Sequence, residues 1–166
     1  MIKITDDIID EVVDKSQSSL RRRYHYNFHK RDSEPIQRFL NALEPEGYVR
    51  PHKHEDPDKV EIFIILRGKI LVVEFDDEGK IVDYMILDSK GENKGVEIPP
   101  KTWHSVIALE KGSVLYIIKE GPFNEKSDKI LAKWSPEEGT KEAEEFNRSI
   151  LRSLNIQMPE VEFGSN

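Results

Sequence analysis

VEIFIILRGKILVVEFDDEG, residues 60–79, contains two apolar runs rich in Ile and Val, with a short turn between them. Residues 60–66 and 70–75 each have the length of a β-strand, and Arg67-Gly68 separates them. A second turn, Asp-Asp-Glu-Gly, follows at residues 76–79. The stretch therefore predicts two consecutive strands of an antiparallel sheet.

Runs of the same kind extend on both sides of this stretch. They lie at residues 36–43, 48–52, 60–66, 70–75, 81–87, 96–98, 105–108 and 114–118. About eight short strands with glycine-containing turns predict an all-β sandwich or jelly roll. No helix-length pattern lies between them, which argues against a βαβ fold. We expect a β-barrel over residues 21–133.

The two ends of the chain show helical patterns instead. Residues 5–19 carry apolar side chains three to four apart, with Thr5 or Asp6 as the N-cap, and predict an amphipathic helix within residues 1–20. A second helix is predicted from about residue 136 to 154, with Ser135 as the N-cap and Pro136 in the first turn. The C-terminal helix and tail thus occupy residues 134–166, and we expect residues 158–166 to be frayed.

The composition excludes several classes of function. With Lys+Arg at 25 and Asp+Glu at 32, the net charge is −7, which disfavours nucleic-acid binding. The chain has no cysteine, so disulfides, thiolate zinc sites and cysteine nucleophiles are excluded. No apolar run approaches the roughly 20 residues that span a bilayer, and the N-terminus lacks a signal-peptide pattern. We therefore expect a cytoplasmic protein without a membrane partner.

Three histidines and one glutamate have the spacing of a metal site. His52 and His54 are two residues apart, and on a strand such residues project from the same face. Glu61 shares its predicted face with Phe63, where a carboxylate is costly unless it is paired or coordinates a metal. His104 opens a later strand after a proline-containing turn. Three imidazoles and one carboxylate suit a divalent transition metal with an open coordination position.

At these residues the sequence resembles the cupin superfamily and, more narrowly, the WbuC-like cupin-fold metalloproteins. His-x-His followed by Glu and Gly is similar to the first cupin motif, and Pro-x-x-x-x-His is similar to the second. The matching stretches are RYHYNFH (23–29), PIQRFLNALEP (35–45), YVRPHKH (48–54), EIFIILRG (61–68), IPPKTWH (98–104) and WSPEEG (134–139). The resemblance implies a cupin-type double-stranded β-helix, one divalent metal (Fe, Zn, Mn or Ni), and an association with O-antigen or other surface-polysaccharide genes.

The sequence departs from the general cupin pattern at several points. The gap between His54 and Glu61 is longer than usual, and Glu55, Asp56 and Asp58 in the intervening loop are competing carboxylates. The glycine that usually follows the second motif's proline by two residues is Lys101 here. Because the longer gap also fits the narrower family, the resemblance still assigns the metal to His52, His54, Glu61 and His104.

Polar residues before the first metal ligand are candidates for the wall of a substrate cavity. The substrate-binding candidates are Arg23, Asn27, Arg38 and Arg50, and the catalytic candidates are Tyr48 and His29. Gln37 is an alternative to Arg38, because neighbours on a strand point in opposite directions. Arg50 either binds an acidic or phosphorylated ligand or pairs with an internal acid such as Glu61 or Glu97.

The basic strip from Arg21 to Arg31 is either an anion or phosphate site or, as is commoner for five basic residues, solvated. Its alternation does not decide which side of the strand faces inward. Tyr24, Tyr26 and Phe28 alternate with His25, Asn27 and His29, and either set suits a cavity. His25 is expected to be structural or exposed. Trp103 and Trp134 are expected in the core or in a lid, with the core favoured.

These observations predict a metalloprotein that binds or acts on a small polar molecule, acidic or sugar-like. As an enzyme it would isomerise or modify a sugar derivative, a role that the resemblance ranks above iron-dependent dioxygenation. The alternatives are a non-catalytic binding module anchored by the metal and a purely structural metal. Because jelly rolls often pair through sheet edges, we also expect a homodimer.

Overall fold

A computed structural model of the chain describes residues 1–157 and 159, and its architecture is mostly β. Its elements are α1 (Asp6–Ser18), β1 (Arg23–Asn27), β2 (Ile36–Leu43), β3 (His52–Lys53), β4 (Glu61–Arg67), β5 (Lys69–Phe75), β6 (Ile81–Asp88), β7 (Gly95–Ile98), β8 (Trp103–Ala108), β9 (Ser113–Glu120), β10 (Ile130–Leu131) and α2 (Lys141–Ser153). The predicted fraying of residues 158–166 falls, except for residue 159, outside the described residues. Neither helix is long and apolar enough to span a membrane.

Two five-stranded antiparallel sheets form the barrel. One has the order β1-β2-β9-β4-β7 and the other β10-β3-β8-β5-β6. Strands β2 to β9 occupy the two sheets in the order of an eight-stranded jelly roll, and β1 and β10 extend one edge of each sheet. The predicted all-β jelly-roll barrel with short terminal helices is confirmed.

The barrel interior is filled by the inward faces of both sheets. Along β4 every second side chain is buried, so that Glu61, Phe63 and Ile65 point the same way, as predicted. Phe63 and Ile65 join a cluster with Leu115 of β9 in the same sheet and Val72 of β5 in the facing sheet. Glu61 begins the strand beyond this cluster, so its carboxylate lies at the end of the apolar core.

Helix α1 covers the outside of the β1–β2–β9 surface. Ile9, Val12 and Val13 pack with Leu40 and neighbouring apolar residues in a second cluster. Thr5 precedes the helix in extended conformation, at the predicted N-cap position. The α1 prediction is therefore confirmed to within one residue at each end.

Helix α2 begins later than predicted. Its N-cap is Thr140, whose side chain accepts a hydrogen bond from the Ala143 backbone. The Ser135 hydroxyl instead donates to the carbonyl of Ala132, and Gly139 has a φ of +84°, which interrupts helical geometry. The prediction of Ser135 as N-cap is wrong because Ser135 is used in an earlier turn.

The strand predicted over residues 48–52 is also shorter than expected. Only His52 and Lys53 are in β3, and the preceding residues contact a segment that we call the return segment, residues 128–138. Tyr48 donates its hydroxyl to Pro136 O, and Arg50 donates to the carbonyls of Ala132 and Ser135. The side chains of Tyr48 and Arg50 are therefore directed at the return segment.

Candidate metal centre

Four buried side chains meet inside the barrel. His52 on β3 and His104 on β8 are direct cross-strand partners, and His54 follows β3. Glu61 reaches the same point from β4 in the other sheet. One ligand atom from each residue lies within 4.8 Å of the other three, and no residue is more than 8% exposed. The structure thus brings together the four residues that the sequence assigned to a metal.

Backbone carbonyls fix the orientation of all three imidazoles. The Nδ1 atoms of His52, His54 and His104 lie 2.9, 2.5 and 2.9 Å from the carbonyl oxygens of Arg50, Asp128 and Thr102. A carbonyl oxygen only accepts hydrogen bonds, so each Nδ1 donates and each neutral ring keeps its lone pair on Nε2. This is the tautomer that a metal ligand needs.

The centre of the cluster fits a cation. Oε2 of Glu61 lies 3.0 Å from Nε2 of His54 and 3.2 Å from Nε2 of His104. Without a cation or an extra proton between them, these groups would direct lone pairs at one another. A divalent transition metal bound by three nitrogens and one oxygen would remove that repulsion, and Fe, Zn, Mn and Ni all accept such ligands.

The surroundings favour the protonation states required for metal binding. Burial, followed by the charges of His104 and Lys129, lowers the pKa of His52 well below its ordinary value of 6.5. Burial would raise the pKa of Glu61, but hydrogen bonds donated by His104 and His54 in the metal-free protein, with the charge of Lys119, hold it well below 4.5. His52 is thus kept neutral and Glu61 ionised over the neutral pH range.

A buried ion network holds His54 in place. The Asp128 carboxylate accepts from Lys59 at 3.2 Å and from Lys119 at 2.7 Å, and all three residues are no more than 7% exposed. The backbone carbonyl of Asp128 is the acceptor for His54. The network therefore anchors the return segment at the point where it orients a ligand.

The four-residue cluster opens onto a cavity of about 340 Å³. Its lining includes alternate residues of β1 and β2, among them Arg23, His25, Asn27, Gln37 and Asn41. The opposite face of β1, which carries Tyr24 and Tyr26, packs in the cluster beneath α1. The sequence did not decide which face of β1 points inward, and the structure does: His25, Asn27 and His29 line the cavity.

The predicted cavity residues divide into two groups. Arg23, Asn27 and His29 line the cavity, as does Gln37, the alternative to Arg38. Arg38 turns away and pairs with Glu34 at 2.7 Å.

Arg50 and Tyr48 are corrections to the predicted cavity wall, because both side chains contact the return segment. The expected strand alternation from residue 48 to 54 does not exist, since β3 is only two residues long. Arg50 also pairs with neither Glu61 nor Glu97. It bonds instead to the Ser135 hydroxyl and to backbone carbonyls. Tyr48, which the sequence offered as a catalytic candidate, does not line the cavity.

Other expectations are clarified by the loops around the cluster. The competing carboxylates Glu55 and Asp58 pair with Lys53 and Lys101 rather than joining the cluster. Lys101, which stands where cupins usually have glycine, has a φ of +66°, in the left-handed region that favours glycine. Trp103 and Trp134 pack in the apolar cluster beneath α2, as favoured.

Several residues of the cavity wall were not assigned from the sequence, among them Arg21, Asn41 and Lys129. His25 is exposed, as expected, and its ring also lines the cavity, because it shares one face of β1 with Arg23 and Asn27. Lys129 had no local signal, because its position depends on the tertiary course of the return segment.

A jelly-roll barrel with three histidines and one glutamate converging on a cavity is the arrangement of the cupin fold. The model of the family described as "Domain of unknown function (DUF6016)" matches residues 4–87, and the chain belongs to that family. No curated protein sequence matches the chain.

Solved structures of similar fold come from several bacteria. KdgF from Halomonas sp. has a TM-score of 0.50 and 15% identity, over 66% of this chain and 87% of that one. The capsular polysaccharide assembling protein CapF from Staphylococcus aureus has a TM-score of 0.54 and 18% identity, over 64% of this chain but only 28% of CapF. Protein SO0799 from Shewanella oneidensis has a TM-score of 0.53 and 10% identity, over 78% and 85%. These similarities concern the fold, and the narrower WbuC-like resemblance stays a prediction.

Proposed function

We propose that this protein is a metal-dependent cupin that binds or acts on a small, acidic, sugar-like molecule. The observation that carries the proposal is the convergence of three Nε2 lone pairs and the Glu61 carboxylate beside a polar cavity. A divalent metal held by His52, His54, Glu61 and His104 would supply a Lewis acid that polarises an oxygen of the ligand.

Unpartnered polar groups in the cavity wall favour a ligand rich in hydroxyl groups. One side-chain atom each of Gln37 and Asn41 is buried without a hydrogen-bond partner among the described residues. Gln37 is 2% exposed and Asn41 4% exposed. A buried amide left unpaired is costly, and hydroxyl groups of a bound ligand would satisfy both side chains.

His29 is the acid–base candidate that the geometry favours over Tyr48. It lines the cavity, and its Nδ1 lies 3.1 Å from both the backbone N and O of Arg38. These contacts orient the ring, and Nε2 makes no hydrogen bond within the described part of the chain. If the protein is an enzyme, His29 would exchange a proton with the ligand through Nε2.

The same proposal includes a biological role for the protein. CapF is a capsular polysaccharide assembling protein, which motivates sugar probes and supports a role in surface-polysaccharide metabolism. The alternatives are a metal-anchored binding module without catalysis and an iron-dependent dioxygenase. The cytoplasmic location and the homodimer stay predictions.

Calorimetric titration of the metal-loaded protein with hexoses, hexuronates and sugar phosphates tests the proposal. We expect at least one acidic sugar to bind, and Asn41→Ala to weaken that binding about tenfold, the effect of one lost hydrogen bond to a polar ligand. Asn93→Ala, on the exposed surface outside the cavity, is the matched control and should leave affinity unchanged.

Two results would contradict the proposal. One is that no sugar binds to the metal-loaded protein. The other is that sugars bind equally well after the metal has been removed by chelation. Product formation, followed by NMR of the bound sugar, separates an enzyme from a binding module.

A further inference from the structure

The cavity wall has excess positive charge where β1 begins. Arg21, Arg23 and Lys129 all line the cavity, and Glu138 is the carboxylate that contacts this group. The Glu138 oxygens accept from Arg21 at 2.7 and 2.9 Å and from Arg23 at 2.9 and 3.0 Å. Two guanidinium groups therefore share one carboxylate, and Lys129 makes no ion pair with it.

Arg23 has hydrogen-bonding capacity that the protein does not use. Its side chain is 7% exposed, and only Nη2 is bonded, to Glu138. Nε is buried without a partner among the residues that the structure describes. A buried guanidinium with a free N–H is costly unless an acceptor is supplied from elsewhere.

Lys129 provides the second unmatched donor. Its ammonium group makes no hydrogen bond or ion pair within residues 1–157 and 159. Lys129 is exposed and lines the cavity, so its ammonium group is free to meet an anion that enters. His25, also exposed, lines the cavity beside Arg23 on β1. The charges of Arg23 and Lys129 therefore both lie at the cavity wall.

Asp32, Glu125 and Asp128 also line the cavity. Among the described residues, neither Asp32 nor Glu125 forms an ion pair with Arg23 or Lys129. Lys119 is already paired with Asp128. Arg23 thus shares the Glu138 carboxylate with Arg21, and Lys129 makes no ion pair with an acid within residues 1–157 and 159.

We propose that Arg23 and Lys129 form an oxyanion subsite, which binds the carboxylate or phosphate group of the ligand beside the metal centre. The subsite deepens the proposed function, because it specifies where the acidic group of the ligand lies. Glu138 acts as a positioning residue that holds the Arg23 guanidinium against the cavity wall. An acidic ligand would contact the metal through one oxygen and the subsite through its anionic group.

The experiment titrates the protein with inorganic phosphate and, separately, with acetate, and follows the His25 imidazole by NMR. We expect one or both ions to shift the His25 resonances, and Lys129→Met to weaken binding about tenfold, the value of one charge-assisted hydrogen bond. Lys133→Met is the matched control, because Lys133 is an exposed lysine of the return segment outside the cavity. The stronger of the two ions identifies a phosphate or a carboxylate as the preferred group.

Chelation of the metal separates the subsite from the proposed function. Anion binding that persists after metal removal and depends on Lys129 supports the subsite, even if no sugar ever binds. Anion binding that disappears with the metal, or that is equal in the Lys129→Met and Lys133→Met variants, overturns it. The absence of any shift at His25 with either ion also overturns it.

Discussion

At the scale of single residues, the candidate centre depends on hydrogen bonds that the sequence does not reveal. The spacing of His52, His54, Glu61 and His104 predicted that they would meet, and they do. The backbone carbonyls that fix their tautomers come from Arg50, Asp128 and Thr102, and only the first and last lie near their histidines in sequence.

The buried state of His52 predicts a pH dependence in the metal-free protein. Its pKa is well below 6.5 when folded, so the unfolded state binds more protons as the pH falls below about 6.5. Native stability should therefore decrease with acidification, by at most about 1.4 kcal/mol per pH unit from this residue.

Urea unfolding of metal-free wild type and His52→Gln at pH 7, 6 and 5 measures this effect. We expect a shallower loss of stability in the variant over that range. Equal pH slopes in the two proteins would show that His52 is not held neutral by its surroundings.

At the scale of elements, the return segment connects the C-terminal part of the chain to the metal centre. The Asp128 carboxylate accepts hydrogen bonds from two buried lysines, and its backbone carbonyl accepts one from His54. Replacing Asp128 by Asn would leave Lys59 and Lys119 without their counterion.

We expect Asp128→Asn to lower the free energy of unfolding by about 3–5 kcal/mol, the cost of breaking a buried ion network. The exposed Asp14→Asn in α1 serves as the control and should change it by less than about 0.5 kcal/mol. Denaturant unfolding of both variants tests the prediction, and a loss at Asp128 no larger than at Asp14 would contradict it.

The turn between β4 and β5 gives a second prediction at this scale. Gly68 has a φ of +72°, and a Cβ there would lie 2.4 Å from the Ser113 hydroxyl oxygen. Gly139 has a similar φ of +84°, but no atom lies within 4 Å of its would-be Cβ. Alanine at either position would adopt the same unfavourable positive φ. Only at position 68 would its Cβ also meet a close atom.

We expect Gly139→Ala to cost about 1 kcal/mol through its backbone conformation alone. Gly68→Ala should cost at least about 1 kcal/mol more, because Ser113 must move. Thermal and urea unfolding compare the two, and equal losses would show that Ser113 accommodates the methyl group freely.

Most elements could be predicted from the sequence because their signals are local. The alternation of apolar side chains and the glycine turns located β2 and β4 to β9, and the metal ligands followed from their positions on those strands. The errors at Tyr48, Arg50 and Ser135 share one cause. Each residue contacts or belongs to the return segment, whose course is set by tertiary packing rather than by local pattern.

At the scale of the whole molecule, the barrel has a core of its own apart from the metal centre. Leu43, Ile70, Leu87 and Leu115 are completely buried in the main cluster, and none of them contributes to the candidate site. A domain of this size folds by burial of apolar surface, so the metal is not needed to form the fold.

Metal removal should therefore leave the far-UV circular dichroism spectrum of the protein unchanged while lowering its melting temperature. A metal at 100 times its dissociation constant stabilises the native state by about 2.7 kcal/mol. Circular dichroism before and after chelation tests this expectation. Loss of the β signal at room temperature would contradict it and would indicate a structural metal.

The central claim is that one divalent metal binds at the His52–His54–Glu61–His104 cluster, and the metal content of purified protein tests it most directly. Elemental analysis of wild type, His104→Ala and His25→Ala compares a cluster residue with a histidine that lines the same cavity. We predict one metal per chain in wild type and His25→Ala and almost none in His104→Ala. Full metal content in His104→Ala, or none in wild type after incubation with Fe, Zn, Mn and Ni salts, would contradict the account.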